Sequence, residues 1–252
     1  MKRLSLGIVA ACLLTGAIPA FAAQPVPFDP WTGLYAGGNF GISLGRANDS
    51  ATYGTAAIPF GSTSSNLDGI VGGAQVGYNW RINSSWVWGL ETDLQGTTEG
   101  GTGTGIAKVL GCPPATFANC PVPVTTTATL ADAENLPWFG TVRGRVGFLT
   151  SWGPLVYATG GLAYGGINSN PSLTIAATTL TYTFNTTRAG WTVGGGVEGW
   201  LDHDWTWKVE YLYLDFGTFS NTFTGIAPFT PITLTTHVTD NIVRAGMSYH
   251  FH

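Results

Sequence analysis

The most distinctive candidate site in the sequence is a set of eight charged residues that fall at alternating positions of short β-type segments. The set contains four acids and four bases: Glu91, Asp93, Glu198, Glu210, Arg143, Arg145, Lys208 and Arg244. Enclosed together, such groups can neutralise one another in a salt-bridged plug, or they can form an ion-selective constriction in a narrow pore. The equal numbers favour a plug, and the constriction stays open as the alternative.

Other residues have the types but not the setting that catalysis needs. Ser248 and His250 could form a nucleophile and its base, but they share the face of their segment that carries the charges, away from any lipid substrate. The glycines of residues 194–199 match a dinucleotide fingerprint, yet no helix follows to hold a pyrophosphate. His237 stands alone in sequence and is expected to be solvated. We therefore expect no enzyme, no catalytic residue, no cofactor and no metal.

The start of the chain has the layout of a secretory signal peptide. Lys2 and Arg3 precede an apolar stretch, and Ala20-Phe21-Ala22 forms a small-x-small cleavage site. We expect residues 1–22 to be removed on export, residues 23–33 to form a periplasmic N-terminal segment, and residues 34–252 to form the folded domain. In an exported chain, Cys112 and Cys120 are expected to form a local disulfide, because a metal site would need further ligands nearby.

Eight segments of about ten residues alternate apolar side chains with small or polar ones, which predicts β-strands. They are residues 34–44, 70–80, 86–95, 138–149, 155–165, 189–201, 205–215 and 241–251. Their connections are alternately long and short, and the long ones are rich in threonine and glycine. Short turns on one side and long loops on the other are typical of an outer-membrane barrel, whose first and last strands must pair.

The two faces of each segment differ in chemistry. Trp138, Val142, Val146 and Phe148 share one face of the fourth segment, whereas Arg143 and Arg145 share the other. Aromatic residues gather near both ends of the segments, which predicts two interfacial girdles: Trp80, Trp86, Trp152, Trp205 and Phe251 at one end, and Trp138, Trp191 and Tyr213 at the other. This places lipid outside and the charges within, rather than the reverse arrangement of a soluble barrel.

Composition agrees with a membrane wall. Charged residues make up only 10% of the 252 residues, against about 25% in ordinary soluble domains. Outside the N-terminus no window approaches the roughly 18 uninterrupted apolar residues of a membrane helix. The formal charge is -4 and there is no basic run, so nucleic acid is not an expected partner.

Several blocks of the sequence resemble the small outer-membrane immunogenic proteins of alphaproteobacteria, within the opacity and porin-like superfamily. The blocks cover nearly the whole mature chain and lie at residues 31–39, 72–80, 89–93, 141–147, 208–213 and 243–249. The resemblance implies an eight-stranded antiparallel up-and-down barrel, surrounded by outer-membrane lipid and lipopolysaccharide, that the outer-membrane assembly machinery inserts. That machinery usually reads a terminal aromatic residue, whereas here Phe251 is followed by His252.

The family implies no catalytic residues. Its members include structural and antigenic components of the Gram-negative envelope, weak pores and haem binders. We therefore expect an outer-membrane barrel with a structural role in envelope integrity, a surface-exposed, antigenic part, and a lumen that is largely plugged by the charged residues. The alternatives are a narrow porin for small solutes, and an adhesin or haem receptor that meets an external ligand or host surface through its long loops.

Overall fold

The structure is a computed structural model that describes residues 30–54, 57–111, 124–175, 178–223 and 231–251. These residues form nine antiparallel strands: β1 (Gly33–Tyr53), β2 (Ile58–Arg81), β3 (Trp86–Gly111), β4 (Val124–Leu149), β5 (Leu155–Ile175), β6 (Thr178–Thr181), β7 (Phe184–Trp200), β8 (Trp205–Phe223) and β9 (Ile232–Phe251). No helix in this part of the chain is long and apolar enough to cross a membrane.

The strands pair in chain order and the sheet closes on itself. Each long strand pairs with the next along the chain, and β1 pairs with β9 from Leu34↔Phe251 to Tyr53↔Ile232. The additional pairing of β4 with β5 completes the ring. The predicted contact between the first and last segments is therefore confirmed, and so is the antiparallel up-and-down architecture.

The structure corrects the strand count and the strand ends. Nine strands occupy eight positions, because a break at residues 182–183 separates β6 from β7 while both pair with β5. The stretches predicted as long loops are mostly paired strand: β1 runs on to Tyr53 and β2 resumes at Ile58. Threonine, serine and glycine lack an apolar alternation, so the sequence pattern ended early, although ladder pairing continues regardless of which side chains it carries.

One end of the sheet is closed by short turns. They cover residues 82–85, 150–154 and 201–204, and we call this the short-turn end. The opposite, long-strand end holds the hairpins between β1 and β2, β3 and β4, β5 and β6, and β8 and β9. The short turns agree with the predicted short connections to within one or two residues.

The two faces of the wall have opposite chemistry, as the alternation predicts. On β4, Val142 and Val146 are exposed on the outer face while Arg143 and Arg145 are buried inside. The other strands repeat this, so large apolar side chains cover the outside between the two ends. Trp138 and Phe148 mark that band on one strand, about 33 Å apart along it and roughly 25 Å apart in height at a barrel tilt near 40°.

The inner face changes character along the barrel, and β4 gives the order. From the short-turn end, the buried inward side chains of β4 run in this order: Arg145, Arg143, Thr141, Phe139, Leu136, Glu134, Asp132, Leu130 and Ala128. Pro137 cannot donate to the ladder, and the register shifts beside it so that Leu136 and Phe139 both point inward. The lumen therefore contains a charged layer, an apolar layer and an acidic layer.

Residues 30–32, which precede β1, lie at the short-turn end. Trp31 is buried there with Val87, Leu155 and Tyr157, and its ring meets Trp200 edge-on at 5.2 Å. This apolar cluster covers the periphery of the charged layer. The predicted signal peptide, residues 1–22, lies outside the described residues.

Candidate functional site

Arg143 is the centre of the charged layer. Its guanidinium binds Glu91 closely, contacts Asp93 at 3.0 Å and contacts Glu210 at 2.8 Å, and its Nε donates to Thr141 at 2.9 Å. A planar group with donors in a fixed fork suits several carboxylates at once. One side chain of β4 is thereby joined to β3 and to β8 across the lumen.

The other three bases complete the layer. Lys208 donates to both oxygens of Glu91, at 2.8 and 2.9 Å, and Arg145 pairs closely with Glu198. Arg244 bridges Asp93 at 2.8 Å and Glu210 at 2.7 Å. The structure thus brings all eight sequence-predicted charges into one connected set, which we call the charge network. None of the eight side chains is more than 2% exposed.

Two tyrosines belong to the network and were missed by the sequence reading. The Tyr35 hydroxyl donates to Glu91 at 2.7 Å and accepts from Arg145 at 3.0 Å. Tyr157 donates to Glu210 at 3.1 Å, and the guanidinium of Arg145 lies 4.2 Å from its ring centroid. Both tyrosines sit at inward positions of their strands, so alternation could have found them.

Glycines on the inner face leave space for the arginines. A Cβ on Gly161 would lie 2.1 Å from the carbonyl oxygen of Val142 and 2.8 Å from the Cα of Arg143. A Cβ on Gly41 would lie 2.2 Å from the carbonyl oxygen of Val243 and 2.7 Å from the Cβ of Arg244. Only glycine fits where a coiled wall brings a neighbouring backbone this close.

A second group of buried acids lies beyond the charge network, towards the long-strand end, and was also missed. Glu99 and Asp240 lie within the apolar layer, where burial first and Asp240's charge second raise the pKa of Glu99 to about 9. Burial likewise raises the pKa of Asp240 to about 6. Unlike the acids of the charge network, neither Glu99 nor Asp240 takes part in any ion pair of the described residues.

Three more acids form the acidic layer: Asp49 on β1 and Asp132 and Glu134 on β4. One carboxylate oxygen from each lies within 4.8 Å of the others. Burial raises the pKa of Asp132 to about 7 and that of Glu134 to about 8, and the charge of Asp49 adds to both shifts. The pattern Ala131-Asp132-Ala133-Glu134 alternates with period two, a signal that the loop prediction overrode.

The predicted girdle residues all lie on the outer face or its rims. Tyr213 is half-buried, and the other seven are between 37% and 72% exposed. These seven are Trp80, Trp86, Trp138, Trp152, Trp191, Trp205 and Phe251. Several contact one another across strands, including Trp86 with Phe148 at 5.5 Å and Trp191 with Tyr213 at 5.4 Å. Such belts suit the boundary between hydrocarbon and headgroups.

The remaining candidates are dispersed. Ser248 accepts from Gln75 at 2.9 Å, and His250 stacks on Tyr35 with centroids 5.2 Å apart, so both are part of the packed interior. His237 contacts Asp215 at 3.1 Å above the girdle. Cys112 and Cys120, with their predicted disulfide, lie outside the described residues.

A closed sheet with an apolar exterior and buried charges is the architecture of an outer-membrane barrel, and comparison with known proteins decides the family. The profile of the outer membrane protein beta-barrel domain family matches residues 8–251. The chain belongs to that family. As a family member it is an outer-membrane protein, and its short-turn end is the periplasmic one, its long-strand end the external one.

Two outer-membrane proteins of known name are similar to this chain in sequence. The 31 kDa outer-membrane immunogenic protein of Brucella melitensis biotype 1 is 33% identical over 278 aligned positions that cover all of both chains. The 22 kDa outer membrane protein of Rhizobium leguminosarum bv. viciae is 29% identical over 77% of this chain and 70% of its own. Among solved structures, the outer membrane protein OprG from Pseudomonas aeruginosa aligns with TM-score 0.48 and 11% identity, covering 88% of this chain and 97% of its own.

Proposed function

We propose that the protein is a non-enzymatic wall component of the outer membrane whose lumen is plugged by the charge network and whose external part is an exposed, antigenic surface. The observation that carries the plug is Arg143, which contacts three carboxylates from two strands while its own side chain is fully buried. Four bases and four acids cancel, so the layer needs no mobile counter-ion.

The geometry gives less support to the alternative of a narrow porin. An ion-selective constriction works when charged side chains face a hydrated path and bind the passing ion weakly. Here the charges of the network bind one another, and the apolar layer of Phe139, Leu136, Leu212 and Leu214 lies directly external to them. An ion would have to break several buried pairs before crossing that apolar layer.

The absence of enzymatic activity is proposed on the placement of the candidate nucleophile. Ser248 and His250 are each 1% exposed and lie inside the barrel near its periplasmic end. A lipid substrate would contact the outer wall, and a soluble substrate would need a path through the N-terminal cluster around Trp31. Neither route brings a scissile bond to the serine hydroxyl.

The surface role rests on how far the strands extend. At girdle level Gly96 pairs with Trp138, and β3 then continues to Gly111, roughly 50 Å further along the strand. On β3 the external part is therefore longer than the membrane-spanning part, and it would stand among and above the lipopolysaccharide sugars. The name of the Brucella relative, an immunogenic protein, agrees with such exposure.

Two contacts of this protein with the envelope follow from the proposal. Lipid and lipopolysaccharide acyl chains would cover the outer apolar band between the girdles. The assembly machinery would read β9, whose Tyr249 and Phe251 rings lie 5.1 Å apart on the outer face next to the periplasmic rim. An adhesin or receptor role would use only the external part and would leave the wall role intact.

Deletion of the gene in its native host tests the wall role. A wall component predicts that the deletion strain becomes more sensitive to SDS with EDTA and to large antibiotics, while its uptake of small sugars and amino acids is unchanged. Complementation with the full chain should restore resistance. Slower uptake of small solutes with an intact barrier would instead show that the protein is a porin.

A further inference from the structure

The acidic layer has the geometry of a cation site. Asp49, Asp132 and Glu134 are buried, at most 3% exposed, and each offers an oxygen within 4.8 Å of the other two. Two oxygens bound to one ion at about 2.4 Å are at most about 4.8 Å apart, so this spacing suits a shared ion with calcium-like bond lengths. On β3, the residues that pair with Asp132 and Glu134 are Gly103 and Gly101, so β3 places no side chain beside these acids. The inward side chains of β2 at this level are Thr63 and Ser65.

A second observation, separate from the acids, points to a ligand at the same place. Thr63 is 7% exposed, and its hydroxyl has no hydrogen-bond partner among the described residues. It pairs with Asp49 in the β1–β2 ladder, and its Oγ1 lies 2.6 Å from the position of a Cβ on Gly103, which itself pairs with Asp132. The hydroxyl thus points from beside one acid towards the other.

Two carboxylate oxygens of the layer also have no partner in the described structure. Asp49 accepts from Thr236 through Oδ1 only, and Glu134 accepts from Ser65 through Oε2 only. Their second oxygens, Oδ2 and Oε1, are buried and unpaired. Together with the threonine hydroxyl, three buried oxygens on three strands lack a donor, and buried polar atoms of this kind need a partner.

Among the bases whose side chains the structure describes, none forms an ion pair with these acids. Arg46 is exposed on the outer face of β1, and Arg188 stacks on the ring of Phe219 with its guanidinium 4.4 Å from the centroid. None of the ion pairs that involve described residues includes Asp49, Asp132 or Glu134. A buried group of three carboxylates without a cation is costly, which distinguishes it from a solvated acidic patch.

We propose that the external part of the lumen binds one calcium ion through Asp49, Asp132 and Glu134, with the Thr63 hydroxyl as a further ligand. All of these ligands are oxygens, which hard divalent cations prefer. Calcium accepts irregular arrangements of six to eight oxygens, whereas magnesium demands a near-ideal octahedron and dehydrates reluctantly, so calcium suits this irregular set of protein oxygens better. The ion would tie β1 to β4 across β2 and β3, outside the membrane. This site is independent of the plug.

The test uses the full mature chain, refolded in detergent, stripped with EDTA and free of lipopolysaccharide. Titration with calcium chloride alone, followed by isothermal calorimetry, should show one saturable site per chain. The melting temperature should rise by about 5 °C or more when calcium is 100-fold above its dissociation constant. Magnesium at the same concentration should give a clearly smaller rise.

Matched variants assign the site. Asp132→Asn and Glu134→Gln should each weaken calcium binding by about tenfold or more, and Thr63→Val should weaken it less. Asp68→Asn removes an exposed acid from the outer face of a neighbouring strand and should bind like the parent. Heat-modifiable gel migration shows that every variant is folded.

Two results would overturn the proposal. One is a folded parent protein that shows no saturable calcium binding, or that binds only when lipopolysaccharide is added, because the ion would then belong to lipid phosphates. The other is unchanged binding in both Asp132→Asn and Glu134→Gln.

Discussion

The charge network and the acidic layer both contain buried carboxylates in the same lumen, but they differ in what neutralises those carboxylates. In the network, Glu91 faces Arg143 and Lys208, and each acid has at least one base within contact distance. In the acidic layer, Asp132 accepts from Ser169 and Glu134 accepts from Ser65, and neither acid has a base in the described ion pairs. The charge network is neutral because its four acids and four bases cancel. The acidic layer is neutralised only by bound protons or by a bound cation.

The two regions lie at different heights in the barrel, and this explains why only the charge network contains its own bases. The network lies between the aromatic girdles, where the surrounding hydrocarbon lowers the dielectric and no ion is supplied from outside. The acidic layer lies beyond Trp138, in the external part, where cations from the medium are available. Substitutions should therefore have opposite signs in the two regions.

The largest expected effect comes from removing the central base of the network. Arg143→Met leaves Glu91, Asp93 and Glu210 with one base fewer, and breaking a buried ion pair from one side costs about 3–5 kcal/mol. Urea unfolding of the refolded barrel in lipid vesicles would measure this loss. Arg46→Met, on the outer face above the girdle, should cost little; equal losses for both variants would contradict a special role of the network.

A smaller loss is expected from filling the space beside Arg143. Gly161→Ala would place a Cβ 2.1 Å from a backbone carbonyl oxygen, and such overpacking costs about 1–3 kcal/mol. Gly144→Ala is the control, because a Cβ there is 3.9 Å from its nearest neighbour, the carbonyl oxygen of Gly160. Equal losses of unfolding free energy in the two variants would contradict the close approach of the strands at Gly161.

The acids beyond the network predict a pH dependence with a definite sign. The pKa of Glu99 is about 9 in the folded barrel and near 4.5 when unfolded, so the folded state holds the proton more tightly. Stability from this group is complete below pH 4.5 and falls as the pH rises towards 9, by at most about 1.4 kcal/mol per unit. Glu99→Gln, compared with the parent in EDTA from pH 5 to 9, should flatten this slope; an unchanged slope would exclude Glu99 as its source.

The smallest effect is a gain. In EDTA, Asp132→Asn removes one of three neighbouring acids while its side-chain oxygen can still accept from Ser169, so we expect the barrel to become more stable by about 0.5–1 kcal/mol. Asp93→Asn in the network should have the opposite sign, because Arg143 and Arg244 lose a charged partner. A loss in both variants would remove the distinction between the two regions.

The sequence predicts the membrane-level part of this structure well, and the physical reason is the lipid. Alternation of apolar and polar residues is strict only where one face meets hydrocarbon, and there it identified both faces, the closing pair of strands and the eight charges. It could not show which acid contacts which base, because contacts such as Arg244 to Asp93 cross the lumen and depend on barrel shear.

Beyond the girdle the same reasoning failed. Both faces of β1 after Arg46 and of β4 before Pro137 carry mostly small or polar residues, so these stretches resemble loops although backbone pairing extends through them. The sequence pattern therefore does not predict that Asp49, Asp132 and Glu134 are neighbours. The alternation of Asp132 and Glu134 with alanines was the available signal.

Planar-bilayer recording of the refolded protein would show whether buried ion pairs close the lumen. If the charge network plugs the lumen, the parent chain should show no stable single-channel conductance steps. Steps that appear in a folded Arg143→Met or Lys208→Met variant would then show that the network is what closes the lumen. Steady, ion-selective conductance from the parent chain in its folded state would contradict the account.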